Sequence, residues 1–260
     1  MKLRKALDMA KARRDGTSPE NHPQASSSLK EKWQSPEYAH SATCRLDPAV
    51  AEKNRGVCLN PDPREVERYK ILRTRIANMS RQRKMNTIMV TSPTKGEGKT
   101  VTCINMGFTF ARAMNQTVLL VDCDFKGQDI HRYLGIESAG SLIDYFLDDR
   151  PIKDLIVWPG VDKLTLISGN RTIMDSTELL SSEMMASLVE EMGSRYDDRY
   201  VFFDAPPVLG HSEAISMAPL MDGILMVIEA GKTSRKDVRN ALALLPKEKF
   251  LGFVLNKQAA

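Results

Sequence analysis

A three-layer α/β fold around a mostly parallel sheet is what this 260-residue sequence predicts. Three observations carry that expectation. Short, nearly unbroken apolar runs such as Val118-Leu119-Leu120-Val121 recur along the chain and suit strands buried on both faces. Stretches with helical spacing separate them, as right-handed βαβ crossovers require. Three of the runs also lead into residues that handle phosphate or a hard metal ion, at the end of the strand where open α/β sheets bind ligands.

The first sixty residues differ from the rest, and residues 1–61 read as a largely flexible extension ahead of a domain at 62–260. Met1 to Arg14 crowds Lys2, Arg4, Lys5, Lys11, Arg13 and Arg14 around Leu3, Leu7 and Met9, and suits a short basic helix. Gly16 to Pro36 is rich in Ser, Pro, Asn and Gln and reads as a linker. Leu46 to Cys58 is ambiguous and is expected as an extended arm. No uninterrupted apolar core of a signal peptide is present, and no stretch reaches the roughly 18 apolar residues that span a bilayer. The expectation is a soluble, cytoplasmic protein that meets the membrane through a partner. A net charge of +4 gives no reason to expect a nucleic-acid partner.

Asp62-Pro63 opens a helix over about 64–79, with Tyr69, Leu72, Ile76 and Met79 at core-facing spacing. Strands follow at 86–91, 117–122, 164–168, 200–204, 223–229 and 251–256. Helices are expected at 99–114, 141–146, 176–192 and 235–245. Of the four cysteines, Cys44, Cys58, Cys103 and Cys123, none forms a CxxC pair, so a zinc site is not expected, and the reducing compartment expected for the chain argues against a disulfide. Cys103 and Cys123 read as small buried fillers.

Ser92-Pro93-Thr94-Lys95-Gly96-Glu97-Gly98-Lys99-Thr100 joins a strand to a helix. Its residues 95–101, Lys95, Gly96, Glu97, Gly98, Lys99, Thr100 and Val101, are the candidate nucleotide-binding loop. The glycines let backbone N–H groups approach phosphate oxygens, the helix start favours negative charge, Lys99 reaches the β- and γ-phosphates, and the Thr100 hydroxyl ligates Mg²⁺. Pro93 stands where the strict pattern has its first glycine. Asp122 and Asp124 end a second strand, two residues apart and expected on one side. Asp204 ends a third, before Ala205-Pro206-Pro207. ATP and Mg²⁺ are therefore the expected ligands, with Thr100, Asp122 and Asp204 on the metal and Lys99, Asp122 and Asp124 as catalytic candidates.

Over about Asp62 to Lys257 the chain resembles bacterial tyrosine kinases of the CpsD/CapB type, most closely the autokinase branch of exopolysaccharide loci. The paired Asp-x-Asp and Asp-x-Pro-Pro segments carry the likeness, with Glu178-Leu179-Leu180-Ser181-Ser182 between them. The resemblance implies a P-loop NTPase fold and ATP-dependent protein-tyrosine autokinase activity in exopolysaccharide assembly. It also implies a membrane-embedded chain-length regulator as activator, a homo-oligomer and a cognate tyrosine phosphatase. It places Asn256 as an adenine contact. Glu67, Lys70 and Arg73 fall where these kinases carry a Glu-x-x-Arg-x-x-Arg ring motif, on a helix face expected to be free for a neighbour.

Lys126 replaces the arginine expected after Asp124, and the chain shows no C-terminal tyrosine cluster. Tyr38, in the extension, is the candidate phosphoacceptor. Asp122 is the expected base toward the phenol. Two other readings stay open at this point. One is a ParA/MinD-like switch ATPase, against which stands Thr94 where that class carries a signature lysine. The other is a nucleotide-binding scaffold of the polysaccharide machinery without kinase activity.

Overall fold

A computed structural model of the chain describes residues 42–56, 62–174, 176–196 and 198–258. The basic amino-terminal stretch, the linker, Tyr38 and Cys58 lie outside these residues. The strands are β1 (Ala42–Thr43), β2 (Thr87–Thr91), β3 (Thr117–Asp122), β4 (Val157–Trp158), β5 (Leu164–Ile167), β6 (Arg199–Asp204), β7 (Gly223–Glu229) and β8 (Phe250–Asn256). The α-helices are α1 (Pro48–Lys53), α2 (Pro63–Arg83), α3 (Lys99–Ala111), α4 (Ile130–Leu134), α5 (Leu142–Asp148), α6 (Thr177–Leu180), α7 (Glu183–Ser194), α8 (Ser212–Met217) and α9 (Arg235–Ala243).

The strands form one sheet in the order β1-β4-β5-β3-β6-β2-β7-β8. Its pairings are parallel except that of β4 with β5. Every residue of β2 and β3 is buried, as continuous apolar runs in the middle of such a sheet require. Alternate side chains then serve opposite faces. Met89, Leu119, Val121, Val201 and Phe203 join Leu142, Leu180, Met185, Leu188 and Met217 in one core. Ile88, Val90, Leu120, Tyr200 and Phe202 join Ile76, Cys103, Met106, Phe108 and Ile130 in the other. Gly107 lets α3 press on the sheet: a Cβ there would come within 2.7 Å of the Leu120 side chain.

The expected arm at 46–58 is partly helical instead. Pro48 starts α1, and the Asp47 carboxylate accepts from the N–H of Ala49 (2.8 Å) and Val50 (3.3 Å). The single helix expected over 176–192 is two. Ser182 adopts extended backbone and caps α7, its Oγ accepting from Met185 N at 3.1 Å. A capping serine ends one helix's geometry by starting the next. Helix α2 runs on to Arg83, because nothing breaks it before Lys84 turns left-handed (φ 53°). The two-residue strands β1 and β4 are too short for any period to reveal.

Candidate nucleotide and phosphoryl-transfer site

Parallel register sets the site. Asp122 and Asp204 are Cα partners at the carboxyl ends of β3 and β6. The loop after β2 runs beside them, with Gly96 at φ 88° and Gly98 at φ 95°. Both angles fall where side-chained residues are strained. No side chain caps α3, so its first N–H groups stay directed at the loop's mouth.

Lys99 is buried among carboxylates. Its Nζ stands 2.8 Å from Asp124 Oδ2 and 3.5 Å from Asp204 Oδ1. Burial alone would lower its pKa, but the charges of Asp204 and Asp124 outweigh burial and raise it, so the ammonium is retained. Thr100 Oγ1 donates to Asp204 Oδ2 at 2.7 Å. Asp204 is raised, by burial first, against the pull of Lys99 and Thr100.

Asp122 is enclosed. Its Oδ2 accepts from Ser168 Oγ (2.9 Å) and from the N–H groups of Asp129 and Ile130 (both 3.0 Å). Its Oδ1 accepts only a longer bond from Asp124 N, at 3.3 Å. Burial, then the neighbouring Asp204 charge, pushes its carboxyl up to about 8. Asp122 and Asp124 both act on the charge of Lys99, but they are held differently. Asp122 anchors the loop to α4 and Ser168, while Asp124, 16% exposed, faces Lys99 and the open site.

The rest of the loop is held by long-range contacts. Glu97 is buried, with Oε1 accepting from the Thr94 hydroxyl (2.6 Å) and N–H (3.2 Å). Asn256 Nδ2 donates to Glu97 O at 2.9 Å, and Lys257 Nζ donates to Gly96 O at 2.6 Å while pairing with Glu229 at 3.1 Å. Asn256 thus ties the end of β8 to the loop. Beside it, Gly98, Val101, Asn256 and Arg55, Arg64 and Arg68 line a cavity of about 600 Å³. A larger cavity of about 990 Å³ opens at the other end of the sheet, beside Asn86, Gln116 and Arg199. It contains none of these groups and lies at the end where such sheets do not bind ligands.

Lys95 is exposed and makes no part of this network beyond the loop itself. Residues with no signal of their own complete the site: Ser168, Glu229, Lys257 and Glu213. Glu213 accepts from Lys126 across two loops at 2.6 Å. Each lies far along the chain from its partner, and only the register brings them together.

The ring-motif residues are arranged otherwise than the sequence suggests. Lys70 pairs with Glu67 at 3.3 Å on the exposed face. Arg73 is half-buried and donates from Nη1 to Thr109 O on α3 at 2.8 Å. Its guanidinium is engaged within the fold, because a long side chain at the helix flank reaches a carbonyl of the neighbouring helix.

A family model described as an AAA domain matches residues 85–247. The chain is 31% identical over 214 residues to the tyrosine-protein kinase YwqD of Bacillus subtilis, covering 78% of this chain and 89% of that protein. Its fold matches the kinase domain of the Escherichia coli tyrosine kinase ETK with a TM-score of 0.69 at 25% identity, covering 75% of this chain and 77% of that one. A more distant fold match is the septum site-determining protein MinD of Pyrococcus horikoshii, complexed with Mg-ADP, at TM-score 0.53 and 22% identity. That match covers 65% of this chain and 68% of MinD.

Proposed function

The chain belongs to the family of bacterial tyrosine-protein kinases, and from that premise we infer that it moves the γ-phosphoryl group of ATP to tyrosine in the control of exopolysaccharide assembly. The observation that carries the reading at residue level is Lys99 held between Asp124 and Asp204 at the mouth of a glycine loop. A loop-borne ammonium, a helix start and a hydroxyl beside a buried carboxylate fit a nucleotide triphosphate. The donor set around Thr100 and Asp204 consists of hard oxygens, which fits Mg²⁺. Among the described residues no cluster of three His, Cys, Asp or Glu could hold a metal by itself.

When bound, Mg²⁺ supplies charge neutralisation on the transferring group. Thr100 and Asp204 would hold it, with Asp122 contributing through the less occupied Oδ1. Lys99 would pair with the β- and γ-phosphates, and the loop N–H groups would stabilise the developing charge. Asp124 takes the place beside the incoming phenol that the sequence reading gives to Asp122, since Oδ2 of Asp122 already accepts three donors. The phenol, with a pKa near 10, would lose its proton late to that carboxylate as its oxygen bonds the γ-phosphorus and the bond from that phosphorus to the bridging oxygen breaks, releasing ADP. Asn256, with Val101 and Arg55, borders the cavity where the base would lie.

Among the described residues no helix is long and apolar enough to cross a membrane. A membrane-embedded chain-length regulator that docks on this chain supplies the activator in our reading, a homo-oligomer the means of phosphorylation between subunits, and a phosphatase the reversal. Tyr38 remains the acceptor we propose. Phosphopeptide mass spectrometry after incubation with Mg·ATP, beside Lys99→Met, tests the reading. Phosphotyrosine in the intact protein alone supports it, and its position tests Tyr38. Phosphate release without phosphotyrosine would return the switch ATPase.

A further inference from the structure

Glu213 is 2% exposed, yet it belongs neither to the glycine loop nor to the three carboxylates that face it. Its Oε1 accepts from Lys126 Nζ at 2.6 Å and from Ser176 Oγ at 3.0 Å. Ser176 occupies the position before α6 where a serine ordinarily caps the helix, but its hydroxyl goes to Glu213 and makes no capping bond. Next to it, the hydroxyls of Thr177 and Ser212 meet at 2.8 Å. A buried serine hydroxyl and one lysine thus meet on the same Glu213 oxygen.

That lysine lies two residues after Asp124. The segment between is held at successive points. Asp124 meets Lys99, Phe125 is 1% exposed and packs near Phe146 with ring centroids 6.4 Å apart, and Lys126 reaches Glu213. Phe125 O also accepts from Ile173 N at 3.1 Å. On the other side, Glu213 follows the Pro206-Pro207 exit from the strand that ends in Asp204. Backbone contact between the two carboxylate-bearing segments runs as far as Cys123 N donating to Asp204 O at 2.9 Å. Beyond that point the Lys126–Glu213 pair bridges them.

An ion pair with its carboxylate buried and its lysine partly exposed is a poor device for stability, since desolvation of the carboxylate offsets much of the attraction. It is a good device for fixing a distance. Here it fixes the spacing between the segment that carries Asp124 and the segment that carries Asp204, with Lys99 between.

We propose that Glu213, acting through Lys126, is a positioning residue that holds Asp124 at the angle phosphoryl transfer requires. The inference rests on the kinase reading above. It concerns orientation and not nucleotide binding, because neither Lys126 nor Glu213 borders the glycine loop or the cavity beside Asn256.

The test is steady-state transfer of phosphate from Mg·ATP to an acidic tyrosine-containing copolymer, using the full chain. Glu213→Gln and Lys126→Met are expected to lower kcat on the order of tenfold to a hundredfold, the scale of a small misplacement of a reacting group. KM for ATP should stay within about twofold, since the binding geometry is untouched. Lys126→Met keeps the test valid if Glu213→Gln fails to fold, because the lysine side chain is 31% exposed. The double variant Lys126→Arg with Glu213→Asp, which lengthens one partner as it shortens the other, is expected to recover most of the loss seen in Glu213→Asp alone. Wild-type turnover in the single variants would overturn the proposal while leaving the kinase reading intact. So would a rise in KM for ATP matching the fall in kcat, or no recovery in the double variant. A wild type that stays inactive after the cytoplasmic segment of the activating regulator is added would overturn the kinase reading itself, and the proposal with it.

Discussion

Asp122 and Asp204 stand directly opposite each other on neighbouring parallel strands, both buried and both raised in pKa. Two carboxylates brought together by register repel when both are ionised, and Lys99 is the cation placed to relieve them.

That relationship gives a pH dependence with a definite sign. The Asp122 carboxyl sits at about 8, above its ordinary 3.8, so the native state binds more protons than the unfolded state between those values. Its contribution to stability is present below the ordinary value and is lost as pH rises through about 8. Asp122→Asn cannot ionise. It is therefore expected to raise the Tm of the nucleotide-free protein more at about pH 8.5 than at about pH 5. Equal shifts at both values would refute the electrostatic account.

Lys99→Met should abolish transfer, by on the order of a thousandfold, since it removes a preorganised cation from the reacting centre. It should also destabilise the nucleotide-free protein by about 3–5 kcal/mol near neutral pH, because Asp124 and Asp204 lose their partner. Thermal melts at several pH values separate the two effects: acid should shrink the stability loss and leave activity absent.

At Gly98 a Cβ would lie 2.1 Å from Asn256 Nδ2, on a backbone already at φ 95°. Gly98→Ala is expected to displace Asn256 from Glu97 O, lower stability by more than about 1 kcal/mol and weaken nucleotide binding. Titration with a fluorescent ATP analogue measures the second effect. Unchanged affinity would show that the loop tolerates release from β8.

The Arg73 guanidinium bonds Thr109 O within the fold, whereas Glu67 and Lys70 pair on the surface. Arg73→Ala should therefore lower the Tm at every protein concentration, by about 1–2 kcal/mol in stability. Glu67→Ala and Lys70→Ala should leave the Tm nearly unchanged and alter only self-association in sedimentation velocity. If Arg73→Ala changes association while the Tm holds, the intramolecular role assigned to Arg73 is refuted.

Much of this fold could be read from the chain because its signals are local. Val118 to Val121 is apolar throughout, so it sits in the middle of a parallel sheet, and Gly96, Gly98, Lys99 and Thr100 lie close enough to form a loop by themselves. Asp62-Pro63 marks a helix start by chemistry that needs no partner. The β1 and β4 strands gave no such sign, since two residues have no period. Asp47-Pro48 did carry a cap signal, which the sparse apolar pattern around it obscured.

The sequence by itself determined the layers, the phosphate loop and the identity of the three strand-end aspartates, since each depends on residues near one another in the chain. Tertiary structure decided which carboxylate is enclosed and which faces Lys99. It also decided that Arg73 turns inward, and that Asn256 and Lys257 fasten the loop from about 160 residues away. Lys126 and Glu213 became partners in the same way. These are matters of strand order and register, and no run of neighbouring residues carries the distance between two strands that the chain visits far apart.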